Sequence, residues 1–149
     1  MNLSGVTDAR IHEEYVRRFT IAAGEHIRSS AQAAKHFRAF FHEADRREQF
    51  VVLFVNGQKQ VLATEVLFTG SITSSAIYPR EVVQRVLDVG AAAVAFAHNH
   101  PSGATEPSAS DRQVTRKLQT ALDAIDVQVL DHIILGGEDY LSFADAGLI

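Results

Sequence analysis

The chain contains no cysteine, and this absence removes several kinds of functional site. Disulfide bonds, thiolate zinc sites, iron–sulfur clusters and cysteine nucleophiles are all excluded. No segment approaches the roughly 18 consecutive apolar residues of a membrane-spanning helix. The start of the chain, MNLSGVTDAR, also lacks the apolar stretch of a signal peptide. We therefore expect a cytoplasmic protein without a membrane partner.

The chain also lacks an excess of positive charge. Its formal net charge is −4 with the histidines neutral. Residues 1–49 carry eight Lys or Arg and seven Asp or Glu, whereas residues 50–149 carry six and eleven. Proteins that bind duplex nucleic acid usually have a basic face and a high pI. Binding of nucleic acid is therefore disfavoured, and we interpret the local basic group of Arg112, Arg116 and Lys117 as a solvated helix face.

The remaining composition is that of one folded domain. The chain has 149 residues, of which 46% are hydrophobic and 21% are charged, the balance of an ordinary globular protein. Histidine is the unusual residue, since seven are present. Because cysteine is absent, any transition metal must be held by imidazole and carboxylate groups.

Two amphipathic helices without strands are predicted in the first third of the chain. Apolar residues recur at helical spacing in each: Ile11, Tyr15, Phe19 and Ala22 before Gly24, and Ala33, Phe37, Phe40, Phe41 and Ala44 after Ser29 and Ser30. We predict that residues 1–47 form a helical arm on a domain of residues 48–149. The histidines of this arm are interpreted as surface or packing residues; they are His12, His26, His36 and His42.

After the arm, strand and helix patterns alternate. An apolar run at residues 50–55 and its return at 60–68 flank Asn56-Gly57, which predicts a two-residue hairpin turn. Further patterns predict helices at 79–89 and about 108–125 and strands at 91–97, 127–135 and 140–143. The order α, α, β, β, α, β, α, β, β predicts a mixed sheet flanked by helices, an α+β or α/β fold.

A candidate metal site lies between the strand at 91–97 and the following helix. His98 and His100 are two residues apart at the end of a strand, so their side chains point to the same side. Asp111 lies in the first turn of the helix and can reach the same point. Two imidazoles and one carboxylate suit Zn²⁺ and leave a fourth position for water, as in catalytic zinc sites.

Two further groups could serve such a site. Ser108 lies three residues before Asp111, on the same helix face, where its hydroxyl can either cap the helix or donate to a developing oxyanion. The site would also need a general base. The local sequence leaves four acidic residues as candidates for this role, which are Glu43, Asp45, Glu48 and Glu65.

The pattern from residue 98 to residue 111 resembles the metal motif of the MPN/JAMM metalloproteases, which is His-x-His, seven residues, then Ser-x-x-Asp. The longer string His-Asn-His-Pro-Ser-Gly, with Tyr-Pro-Arg-Glu at 78–81 and Leu-Asp-His-Ile-Ile at 130–134, is similar to the bacterial RadC-like branch. This resemblance extends from about Glu48 to the C-terminus. It implies a curved mixed sheet sandwiched by helices, a cytidine-deaminase-like fold. Residues 1–47 show no recognisable helix–hairpin–helix segment of the usual RadC type, so we expect a stand-alone catalytic-type domain.

The resemblance also implies roles for single residues. The family's ligands for one Zn²⁺ per chain fall on His98, His100 and Asp111, its serine on Ser108, and its catalytic glutamate on Glu48, which precedes an apolar strand as the family pattern requires. Asp131 and His132 are interpreted as hydrogen-bond partners behind the ligands or as structural residues. Since adjacent strand residues point to opposite faces, at most one of these two faces the site.

The function implied by the resemblance is hydrolysis of a peptide or isopeptide bond by water that zinc activates. Glu48 would move the protons and Ser108 would stabilise the oxyanion. The substrate would be a protein or peptide of open identity, and the oligomeric state is open as well. Because the RadC name is linked to DNA repair, the alternative is a zinc-containing module that binds DNA or DNA-processing partners without catalysis.

Overall fold

A computed structural model describes residues 4–41, 47–73 and 76–149. Its elements follow the predicted order and are α1 (Asp8–Phe19), α2 (Ser30–Arg38), β1 (Gln49–Val55), β2 (Val61–Thr69), α3 (Pro79–Val89), β3 (Ala93–Asn99), α4 (Ala109–Asp123), β4 (Gln128–Gly136) and β5 (Asp139–Ser142). Among the described residues, no helix is both long and apolar enough to cross a membrane.

The five strands form a single mixed sheet in the order β2-β1-β3-β4-β5. Only β3 and β4 are parallel, and every other neighbouring pair is antiparallel. A parallel pair needs a crossover connection, and α4 supplies it between β3 and β4. The C-terminal end of β3 therefore leads directly into the loop and helix that carry the candidate site. The predicted α+β fold with a mixed sheet is confirmed.

Helices cover both faces of the sheet. On one face, the side chains of α3 and α4 pack with alternate residues of β1 and β3, including Phe50, Phe54 and Phe96. On the other face, Ala33, Ala34 and Phe37 of α2 pack with the intervening strand residues. Because both faces are covered, β1 is an almost continuous apolar run instead of an alternating one.

The N-terminal helices differ in how they join this core. None of the residues of α1 is buried, whereas α2 contributes to the core, and Phe40 and Phe41 pack beside it on the protein's own sheet. The domain boundary between residues 47 and 48 stays a prediction. Helix α2 ends at Arg38, before the end of the predicted apolar stripe. Beyond it, the backbone N–H groups of Phe40 and Phe41 each donate to the carbonyl three residues earlier, which is the bonding of a turn. The last predicted stripe residue, Ala44, lies outside the described residues.

The predicted two-residue turn at Asn56-Gly57 is wrong. Strand β1 ends at Val55 and β2 begins at Val61, and the positive φ of the connection, 62°, falls on Lys59. The side-chain oxygen of Asn56 accepts hydrogen bonds from two backbone N–H groups further along the loop, each at 3.0 Å. This asparagine therefore stabilises a longer turn in place of the tight turn that Asn-Gly favours.

Candidate metal centre

The end of β3 brings His98 and His100 to one point. His98 is fully buried on the face covered by α4, opposite Phe50 of β1. The backbone N–H of His100 donates to the carbonyl of Leu135 on β4 at 2.7 Å, so the chain stays alongside the sheet for one residue beyond the strand. The Nε2 atoms of the two histidines lie 2.9 Å apart.

Asp111 completes a three-residue cluster with these histidines. Its Oδ1 lies 3.1 Å from Nε2 of His98, and its Oδ2 lies 3.1 Å from Nε2 of His100. One ligand atom from each residue lies within 4.8 Å of the others. Nδ1 of His100 lies 2.8 Å from the carbonyl oxygen of Ala104, which can only accept, so that nitrogen carries a proton and Nε2 is the atom that faces the cluster. These residues could hold a metal ion.

The electrostatics of the cluster favour a positive charge at its centre. Burial by itself would raise the pKa of Asp111, but the neighbouring His100 and His98 imidazoles outweigh burial and hold that pKa well below its usual value. The hydrogen bond with Asp111 raises the pKa of His100 against the opposing effect of burial. The carboxylate is therefore ionised, and the cation that it attracts can be a proton or a metal ion.

Local sequence positions Asp111 through a capping box at the start of α4. The Ser108 hydroxyl oxygen accepts from the N–H of Asp111 at 3.0 Å, and Asp111 Oδ2 accepts from the N–H of Ser108 at 2.8 Å. Ser108 therefore is the helix cap that its sequence position allowed. Its hydroxyl proton is not used in this bond, so the role in oxyanion stabilisation stays a prediction.

His132, and not Asp131, lies on the face of the sheet that carries the cluster. His132 Nε2 lies 2.8 Å from Nδ1 of His98, and its ring is fully buried, which lowers its pKa well below the usual value. Asp131 instead accepts from the Ser142 hydroxyl at 2.6 Å and from the N–H of Ala144 at 3.0 Å, and burial raises its pKa. Asp131 thus fastens the C-terminal segment to β4.

Glu48 lies just before β1, where its backbone neighbours face the end of β3. Its Oε2 accepts from the N–H of Ile72 at 2.9 Å, and its negative charge contributes to the raised pKa of His100. Glu48 is not part of the three-residue ligand cluster. It therefore lies near the cluster without competing for a ligand position.

Of the three other candidate bases, the structure describes only Glu65, which does not approach the cluster. Glu65 on β2 pairs with Arg85 at 2.6 Å and lies opposite Val52, several residues along β1 from the site. Glu43 and Asp45 lie outside the described residues.

Comparison with known proteins agrees with this geometry. The family model for the RadC-like JAB domain matches residues 27–148. The chain belongs to the RadC-like JAB domain family. The match includes α2 as well as all five strands of the sheet.

Curated relatives carry the same domain. A UPF0758 protein of Pseudoalteromonas translucida is 54% identical over 104 residues, which are 70% of this chain and 46% of that protein. The UPF0758 protein YfjY of Escherichia coli is 47% identical over 121 residues, 81% of this chain and 76% of that protein. A UPF0758 protein of Aliivibrio salmonicida is 50% identical over 103 residues, 69% and 46% respectively. This RadC-like chain spans about half the length of the first and third relatives, and none of the three names states an activity.

Three residues of this RadC-like site were missed by the sequence analysis. Asn99 accepts from the N–H of Gln49 at 2.7 Å and donates to the carbonyl of Arg47 at 3.1 Å, which holds the backbone on both sides of Glu48. Its position between the two histidines was a usable signal. Thr115, four residues after Asp111 on one helix face, contacts His132. Gly136 lies against the loop after His100, and no local signal pointed to it.

Proposed function

We propose that this RadC-like domain is a zinc-dependent hydrolase of peptide or isopeptide bonds. The observation that carries the proposal is the cluster of His98, His100 and Asp111, whose ligand atoms converge within 4.8 Å. Imidazole nitrogen and carboxylate oxygen are zinc ligands, and three protein ligands leave a position for water or substrate. A cytoplasmic location stays part of this proposal.

Each group in the site would have a separate task. A bound Zn²⁺ would lower the pKa of its water ligand to about 7 and would polarise a carbonyl group. Oε2 of Glu48 already accepts from Ile72, so Oε1 would take the proton from the attacking water and later give it to the leaving amine. The Ser108 hydroxyl would donate to the oxyanion that forms on the substrate carbonyl.

The metal assignment is tested by metal analysis of the purified protein. We expect about one Zn²⁺ per wild-type chain and almost none in His98→Ala or Asp111→Ala, because each variant removes one of the three proposed protein ligands. His26→Ala, which changes an exposed histidine of the arm, is the matched control and should keep its zinc. Wild-type zinc content in both ligand variants would overturn the assignment.

The catalytic assignment is tested by cleavage of an unbiased peptide library. Glu48→Gln should bind zinc like the wild type but cleave at least about 100-fold more slowly, since general base catalysis typically contributes that much. Glu65→Gln changes a glutamate of β2 that forms an ion pair with Arg85, and it should leave cleavage unchanged. Equal cleavage by wild type and Glu48→Gln would remove Glu48 from the mechanism.

The alternative function, binding of DNA without catalysis, has weaker support. Arg116 and Lys117 are exposed on α4 while Arg112 is half-buried, and the chain as a whole is acidic. Phosphate contacts strengthen as salt is lowered. DNA binding that grows at low salt and survives Glu48→Gln, in a protein that cleaves no peptide, would favour this alternative.

A further inference from the structure

A row of hydrogen-bonded side chains extends from the cluster of His98, His100 and Asp111 into the core behind His98. Nδ1 of His98 lies 2.8 Å from Nε2 of His132, and Nδ1 of His132 lies 2.6 Å from the hydroxyl oxygen of Thr115. That hydroxyl in turn donates to the backbone carbonyl of Asp111 at 2.8 Å. The row therefore begins at one proposed ligand and ends on the backbone of another.

The carbonyl at the end of the row determines where each proton lies. A carbonyl can only accept, so the Thr115 hydroxyl gives its single proton to Asp111 and accepts from Nδ1 of His132. His132 then has no proton on Nε2, and that atom accepts from Nδ1 of His98. As a result, Nε2 of His98 has no proton and directs a lone pair at the cluster.

The spacing within the cluster agrees with this arrangement. The Nε2 atoms of His98 and His100 are 2.9 Å apart, so at most one hydrogen fits between them, and Nε2 of His100, which lies 3.1 Å from Asp111 Oδ2, can carry it. The reverse order of protons would place a hydrogen on Nε2 of His98. It would also leave the Asp111 carbonyl without the Thr115 proton and would block the position that a metal needs.

The surroundings hold the row in place. His132 is fully buried, stacked on Phe143 at a centroid distance of 4.8 Å, with the edge of Phe50 at 5.7 Å. Thr115 is 1% exposed. Such packing prevents the imidazole ring from turning over to exchange its two nitrogens.

We propose that Thr115, acting through His132, is a positioning residue that keeps His98 in the tautomer with its proton on Nδ1 and so prepares Nε2 to bind the metal. The inference rests on the proposed metal centre. In that centre, Thr115 would orient His98 through hydrogen bonds on the side of the ring that faces away from the metal. Hydrogen-bond partners commonly orient metal-binding histidines in this way.

The first test measures Zn²⁺ affinity by competition with a chromophoric chelator. Thr115→Val keeps the shape of the side chain and removes the hydroxyl, and we expect about 10- to 100-fold weaker binding. Thr115→Ser restores the hydroxyl and should bind nearly as tightly as the wild type. Thr120→Val is the matched control, because Thr120 on the same helix donates to the carbonyl of Arg116 but is exposed. It should bind zinc like the wild type.

The second test reads the tautomer directly in the wild-type chain, so it does not depend on a variant that folds. Nitrogen-15 NMR of the metal-free protein, at a pH where the rings are neutral, should show His98 protonated at Nδ1 before any metal is added. Thr115→Val should show both tautomers or the Nε2 form. A wild-type His98 protonated at Nε2 would overturn the inference.

The two proposals can fail separately. If His98→Ala and Asp111→Ala keep their zinc, the proposed metal centre is wrong and the inference is lost with it. If those variants lose zinc while Thr115→Val binds it as tightly as Thr120→Val does, the metal centre stands and only the role of Thr115 is wrong.

Discussion

At the scale of single residues, Ser108 combines a structural bond with a proposed chemical one. Its oxygen accepts from the N–H of Asp111 at the start of α4, and its proton is not used in that bond. The two roles use different atoms of one hydroxyl, so a suitable set of variants separates them.

We predict that Ser108→Ala lowers the free energy of unfolding by about 1 kcal/mol, because the N-cap is lost, whereas Ser108→Gly lowers it by only a few tenths. Both variants lack the hydroxyl proton, so both should cleave peptide about 100-fold more slowly, the typical effect of removing one oxyanion donor. Ser108→Thr should retain stability and cleavage. Urea unfolding and the peptide-library assay measure the two effects. A fully active Ser108→Gly would restrict Ser108 to capping.

At the scale of elements, the loop between β3 and α4 depends on close contact with the end of β4. A Cβ added at Gly136 would lie 2.5 Å from the carbonyl oxygen of Gly103 and 2.7 Å from that of Ala104. The Ala104 carbonyl is also the acceptor for Nδ1 of His100. The absence of a side chain at residue 136 therefore lets the loop lie where it orients the His100 ring.

We predict that Gly136→Ala destabilises the protein by about 1–3 kcal/mol, because the atoms in the way are backbone and cannot move aside as a side chain would. Displacement of Ala104 should also weaken zinc binding. Gly57→Ala is the matched control, since a Cβ there meets nothing within 4 Å. If both variants bind zinc and unfold alike, the close contact does not support the site.

At the scale of the whole molecule, His36 joins three separate parts of the chain. Its Nδ1 accepts from the N–H of Ile21 at 2.8 Å, and its Nε2 lies 2.8 Å from the hydroxyl of Thr64 on β2. Since Nδ1 accepts, the ring must be neutral. Burial lowers the pKa of His36 to about 4, which agrees with this arrangement.

We predict that this histidine makes stability depend on pH. Between about pH 6.5 and about pH 4 the unfolded chain binds a proton at His36 and the folded chain does not, so the free energy of unfolding falls as pH is lowered, by up to about 3 kcal/mol. Above about pH 6.5 this contribution is fully present. Urea unfolding of metal-free protein measures it, with His36→Asn as the non-titrating variant. Equal pH dependence in the two proteins would contradict the prediction.

Much of the fold and of the site could be predicted because the signals are local. The two-residue period of a strand predicts that His98 and His100 point to the same side. Ser108 and Asp111 have the spacing of a capping pair at the start of a helix. The prediction of a two-residue hairpin turn was wrong although its signal is local as well. The side chain of Asn56 bonds within a longer loop, and residue preferences for two-residue turns do not include that competing bond.

The face to which His132 points could not be predicted from the sequence. Residues Val94 and Ala95 of β3 pair with Val129 and Asp131 of β4, so one extra residue, Leu130, forms an irregularity in β4. An extra residue reverses which side chains face each side of the sheet. This single shift turns His132 toward His98 and Asp131 toward Ser142.

The chemical groups available at the candidate site follow from the amino-acid sequence, since the absence of cysteine and the local spacing of His98, His100, Ser108 and Asp111 leave imidazole and carboxylate as the groups that could hold a metal. The residues that contact these groups from the core depend on tertiary contacts. The contact of Thr115 with His132 depends on the packing of α4. The direction of His132 and the contact of Gly136 with the loop after β3 depend on the pairing of β3 with β4. All of these contacts join residues far apart in the chain. Local preferences act over a few residues, whereas strand register and close backbone contact are set by the whole fold.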